Sequence, residues 1–249
     1  MLSIVLTELQ KIKRYHILLI GIIGMALSPI LGLITQNVAI EEAKNTNFDL
    51  SALVDSTIWN NATVFMPIIF TLIGGYLINR EYTDDTLKNI LTVPISFRKF
   101  LAGKLTAIGI LSVLFGIYSL IVTLVVSFFA GLPGINAPDF FYGLLRVIPL
   151  SALIYIIVLP VITLCSRKPG LFMTGSMISF LAGYSVLFFK RGLLRHLYPF
   201  SAALTLIGFD TSSYTRAPEK GSLPLAILSL SFMLLAAVLL VCTSKVPEA

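Results

Sequence analysis

Six runs of eighteen or more residues contain no Asp, Glu, Lys, Arg or His: Ile17 to Ile34, Ile58 to Ile78, Leu105 to Phe129, Val147 to Cys165, Leu171 to Phe189 and Leu223 to Cys242. An apolar helix of about 20 residues matches the roughly 30 Å hydrocarbon core of a bilayer. A 249-residue soluble chain has no interior large enough to bury six such runs, and with a mean hydropathy of +0.93 the sequence reads as an all-α membrane protein with six transmembrane helices. Pro29, Pro67, Pro149 and Pro160 fall within or at the ends of the runs, where bundle neighbours can satisfy freed backbone groups. The net charge of +6 does not point to nucleic acid, because the basic residues flank apolar spans, where topology and anionic lipid account for them. Cys165 and Cys242 fall near ends of spans on the reducing side and imply packing, with no disulfide framework.

Basic residues in short loops set orientation. With the N-terminus inside, eleven Lys and Arg residues are cytoplasmic and seven lie outside, and the first outer loop holds Glu41, Glu42, Asp49 and Asp55 against Lys44. Both termini are therefore expected in the cytoplasm. The first run follows basic residues as a secretory signal would, but it is long and lacks a convincing small-x-small site near Asn37-Val38-Ala39, so it reads as a retained span.

Two segments outside the runs are patterned. In residues 1–15, Leu2, Val5, Leu6, Leu9 and Ile12 recur at helical spacing, with Glu8, Lys11 and Arg14 opposite and Lys13 beside them. That pattern suits an amphipathic helix lying in the interface, apolar face in lipid and basic face toward headgroups. Residues 79–104, "NREYTDDTLKNILTVPISFRKFLAGK", form the one long polar stretch. Thr83 can cap a helix whose first turn carries Asp84 and Asp85, although Thr86 leaves the capping box incomplete. Asp84 and Lys88 stand in favourable order, Leu87, Ile90 and Leu91 make an apolar stripe, and Pro94 ends the helix. Phe97, Phe100 and Leu101 then suggest a second short amphipathic piece beneath Arg98 and Lys99. A plain connection would need only about two to eight residues. The segment reads as a docking surface for a soluble partner.

"REYTDDTLKNILTVPISFRKFLAGK" and "TELQKIKRYHILLI" resemble the segment between the second and third helices, and the N-terminal entrance, of type-2 ABC permeases, in particular the bacitracin and lantibiotic resistance branch. The resemblance implies a single permease domain over residues 1–249. It implies that Glu81, Tyr82, Thr83, Asp84, Asp85, Thr86, Leu87, Lys88 and Leu91 form a cytoplasmic coupling helix seated on an ATPase subunit, with Leu2 to Arg14 as a connecting helix beside it. It further implies a second permease copy or related permease, ATP and Mg bound only in the partner ATPase, a peptide or other hydrophobic substrate, and a bacterial inner-membrane location. In residues 190–222, "LLRHLYPFSAALTLIGFD" is too apolar for a free loop and is broken by Pro199, which fits a re-entrant hairpin buried in protein.

No Gly-x-x-x-x-Gly-Lys-Ser/Thr loop occurs; Gly103-Lys104-Leu105-Thr106 lacks the upstream glycine and the following hydroxyl. An ion-coupled secondary transporter or channel is the alternative, but relays need ionisable residues within spans and the span centres have none. Gly183-Tyr184-Ser185 invites comparison with a serine nucleophile, yet His196 lies outside the span, and a small-residue packing patch is the better reading. Tyr76, Tyr118 and Tyr155 read as packing residues.

Overall fold

In the computed structural model of the protein, residues 2–12, 15–38, 48–83, 96–133, 137–168, 170–189, 191–215 and 221–244 are described, and every regular element among them is helical. Helix α1 spans Leu2–Ile12, α2 Ile17–Val38, α3 Leu50–Asn60, α4 Met66–Thr83, α5 Phe97–Phe129 and α6 Ala137–Cys165. After these come α7 (Phe172–Tyr184), continued by a 3₁₀ turn at Ser185–Leu187, then α8 (Gly192–Leu197), α9 (Pro199–Leu206), α10 (Ser212–Thr215) and α11 (Leu223–Thr243).

Among the described residues, five helical stretches are long and apolar enough to cross a membrane: α2, the joined α3–α4 rod Leu50–Thr83, α5, Phe140–Cys165 of α6, and α11. The remaining apolar run is the shorter helix Phe172–Leu187, about 24 Å long at 1.5 Å per residue. The α3–α4 rod is central, with 72% of its apolar window buried against 22% for the peripheral α11. It packs on α2, α6 and α7, while α11 packs on α6 and α9.

Two helices begin well before their charge-free runs. Asp49 caps α3 by accepting from the Ala52 amide at 2.9 Å, which with Ser51 holds its carboxyl below the usual range. Residues 97–104, expected to form a separate amphipathic piece, are instead the first two turns of the 33-residue α5. Ser96 caps that helix with its hydroxyl 3.4 Å from the Lys99 amide, and nothing between Lys104 and Leu105 interrupts the backbone ladder. Phe97, Phe100 and Leu101 are buried while Arg98 and Lys99 stay exposed, as the stripe requires.

The central rod contains one irregular turn with an identifiable cause. Pro67 has no N–H to give the Thr63 carbonyl, and its ring would press on that carbonyl in a regular helix. At Asn61–Phe65 the helix widens to a π turn, in which the Met66 amide bonds the Asn61 carbonyl. Polar side chains collect there. Asn61 is fully buried and donates to Ser119 Oγ at 2.9 Å, and Asn60 donates to the Ser28 carbonyl at 3.3 Å.

The loop before α11 folds into the bundle. Helices α8 and α9 meet at Tyr198–Pro199, and Phe200, Ala202, Ala203 and Leu204 are buried. The Leu197 carbonyl accepts from Ser229 Oγ at 2.7 Å, so the hairpin tip lies about 9 Å beyond the start of α11. Ser185 Oγ donates to the Ala182 carbonyl and also pairs with the Tyr198 hydroxyl, while His196 Nδ1 accepts from the Ser222 amide. Tyr155 is buried, its hydroxyl bonding the Leu105 carbonyl, and Tyr76 packs edge-on against Phe172.

Candidate functional site

Four charges meet where α1, the end of α4 and the start of α5 converge. Lys104 is 2% exposed, and its ammonium donates to Glu8 Oε2 at 2.7 Å, to Glu81 Oε1 at 2.8 Å and to the Leu77 carbonyl at 3.2 Å. Three acceptors match the three N–H bonds of an ammonium, and the two carboxylate contacts have charge-assisted lengths. Lys11 lies 3.4 Å from Glu8 and 3.3 Å from Glu81 at the rim, making the group two acids and two bases. Burial opposes the charge on Lys11, but Glu8 and Glu81 outweigh it and raise its pKa.

The face of α1 differs from the one expected. Glu8 is expected on the side toward lipid headgroups, but it is buried, and Ile4, Glu8, Lys11 and Ile12 form the side turned to the bundle. Leu6 lies on the outer face, with Val5 and Leu9 partly buried; the side chain of Leu2, and Lys13 and Arg14, lie outside the described residues. The physical reason is the Lys104 ammonium, which stabilises a carboxylate that hydrocarbon alone would reject. Gly103 permits the approach, since a Cβ there would come within 2.8 Å of Ile4 Cγ2. The Gly103-Lys104 pair is thus where α1 docks on α5, and the signal that could have found it was the shared helical face of Ile4, Glu8, Lys11 and Ile12.

The end of α4 is held residue by residue. Asn79 Oδ1 accepts from the Gly170 amide at 2.7 Å; Arg80 stacks on Tyr15 at 4.2 Å and donates to Tyr76 at 3.3 Å. Glu81 bonds Lys104, and the Tyr82 hydroxyl donates to the Ser166 carbonyl at 2.8 Å. Four consecutive side chains therefore reach the α6–α7 connection, the α1–α2 connection, α5 and the end of α6. Thr83, read as a cap for a following helix, is the last residue of α4, its hydroxyl donating to the Arg80 carbonyl at 3.1 Å. Asp84, Asp85, Thr86, Leu87, Lys88 and Leu91 lie outside the described residues. Glu81 itself is buried and faces the bundle.

This arrangement ties the end of α4 to α1, α5 and the end of α6 together. It defines a multi-pass, all-α membrane protein with a mechanically tied end. Residues 4–186 match the sequence family described as ABC-2 family transporter protein, and the chain belongs to that family, the membrane-spanning permeases of transporters. It is also similar to the bacitracin transport permease protein BCRB of Bacillus licheniformis, with 29% identity over 94 residues, 38% of this chain and 45% of that protein. The match thus spans about half the length of that relative.

The two lysines should differ sharply. Lys11 is about one-third exposed, so Lys11→Met is expected to cost only about 0–1 kcal/mol by thermal unfolding in detergent. A raised ammonium contributes fully below its ordinary 10.5 and loses that contribution only as pH rises through the higher folded value. The difference between parent and Lys11→Met is therefore expected to stay constant from about pH 6 to 9.

Proposed function

We propose that the chain is the permease of an ATP-driven exporter that removes an amphipathic peptide antibiotic or similar hydrophobic compound from the membrane. In this reading the α1 end is cytoplasmic, both termini lie inside a bacterial cell membrane, and residues 84–91 seat on a separate ABC ATPase. A second permease copy, or a related one, completes the pathway. ATP and Mg belong to the partner; closure of the ATPase pair moves the coupling segment, and Glu81 passes that movement through Lys104 to α5 and α1.

The observation that carries the coupling role is the grip on Asn79 to Tyr82, which fixes four neighbouring elements to the root of the coupling segment. The family match supports the permease role, and the resemblance to a bacitracin permease supports the peptide cargo. An ion-coupled carrier is less well supported, because the buried ionisable cluster sits at one end of the bundle, whereas relays lie along the pathway.

The cargo assignment is tested in cells lacking this chain. Their sensitivity to cyclic and lanthionine peptide antibiotics is expected to rise several-fold for at least one peptide and to recover on re-expression. Unchanged sensitivity to every such peptide would remove the peptide assignment.

A further inference from the structure

Between α6, α7, α11 and the hinge of the α8–α9 hairpin lies a cavity of about 220 Å³, open on one side. It exceeds the ~150 Å³ apolar cavity known to take benzene. Val158 and Val161 of α6, Ala182 of α7, Met233 of α11, and Pro199 and Phe200 of α9 line it. The polar atoms at its edge are engaged elsewhere. Ser179 Oγ accepts from Thr71 at 2.8 Å, and the Tyr198 hydroxyl bonds the Ala182 carbonyl and Ser185. Water needs two to four polar partners to reside in such a space, and these groups already have theirs.

We propose that this cavity holds the hydrocarbon chain of a membrane lipid. Helix α7 packs mainly on α4, and α11 on α6 and α9, so the cavity is bounded by helices from different parts of the bundle. Beside the lining residues the surface is exposed and apolar, with Ile178 and Leu181 on α7 and Phe232 and Leu235 on α11. Depth selects the part of the lipid that enters. Met233 is ten residues into α11, about 15 Å from its start, which is the level of acyl chains rather than headgroups. This inference is independent of the cargo assignment.

The test reconstitutes the full chain into nanodiscs containing phosphatidylcholine with a diazirine midway along one acyl chain, followed by irradiation and residue-level mass spectrometry. Labelling at Val158 and Val161 is expected to exceed that at Leu19 and Ile23, on the exposed face of α2, by about fivefold. Ala182→Phe and Met233→Trp enlarge lining side chains on two different helices, and each is expected to cut the Val158 signal about fivefold while leaving α2 labelling unchanged. Labelling at Val158 no stronger than at Leu19, or unaltered in both variants, would overturn the proposal.

Discussion

Lys104→Met is expected to lower stability by about 3–5 kcal/mol, the largest loss of any single substitution at the α1 end of the bundle. The change keeps most of the side-chain volume but deletes the cation that bonds both carboxylates, leaving Glu8 and Glu81 buried beside the rim ammonium of Lys11. The pair of carboxylates then repel each other across a site with little water. Much of this cost is the penalty of the orphaned charges, so neutralising them should restore stability. Lys104→Met combined with Glu8→Gln and Glu81→Gln is expected to unfold at a higher temperature than Lys104→Met alone. Additive losses across the three substitutions would show that the groups do not act as one cluster.

The second large effect is expected at Gly183. A Cβ there would lie 2.4 Å from the Thr63 carbonyl oxygen and 3.0 Å from Pro67 Cγ. The first obstacle is backbone, so no rotamer change relieves it, and α7 must move away from the π turn. Gly183→Ala should cost about 1–3 kcal/mol, and Gly183→Leu more, as in other overpacked interiors. Leu181→Ala, two residues away on the exposed face, should shift thermal unfolding far less. Equal tolerance at both positions would mean that α7 does not rest on the π turn.

The architecture was legible wherever hydrophobicity alone decides it. Charge-free runs located the apolar helices, and Pro199 marked the hairpin break, because hydrocarbon imposes helix on any span and proline ends one in a known way. The runs were less informative about helix ends. Leu50 and Phe97 start their helices at caps supplied by Asp49 and Ser96, well inside segments that polarity alone assigns to loops. The π turn was invisible, since its cause lies in Pro67 and in packing by Gly183, 116 positions later.

The candidate site shows the same division. Glu81 stood out through its place in the polar segment, but the direction of its side chain depends on Lys104, 23 residues away, and on Glu8. Periodicity gave α1 one apolar and one polar side. A buried ammonium in fact draws Glu8 inward against that pattern. The shared face of Ile4, Glu8, Lys11 and Ile12 is visible in α1 alone, but which helix supplies the partner charge is not.

Coupling to a separate ATPase is the centre of the functional account, and affinity purification from the native cell in mild detergent tests it most directly. The parent chain should carry an ABC ATPase in stoichiometric amount, and Asp84→Lys with Asp85→Lys should lose it while keeping the parent's thermal unfolding midpoint. Recovery of the parent chain without any ATPase, under conditions that preserve such complexes, would contradict the account.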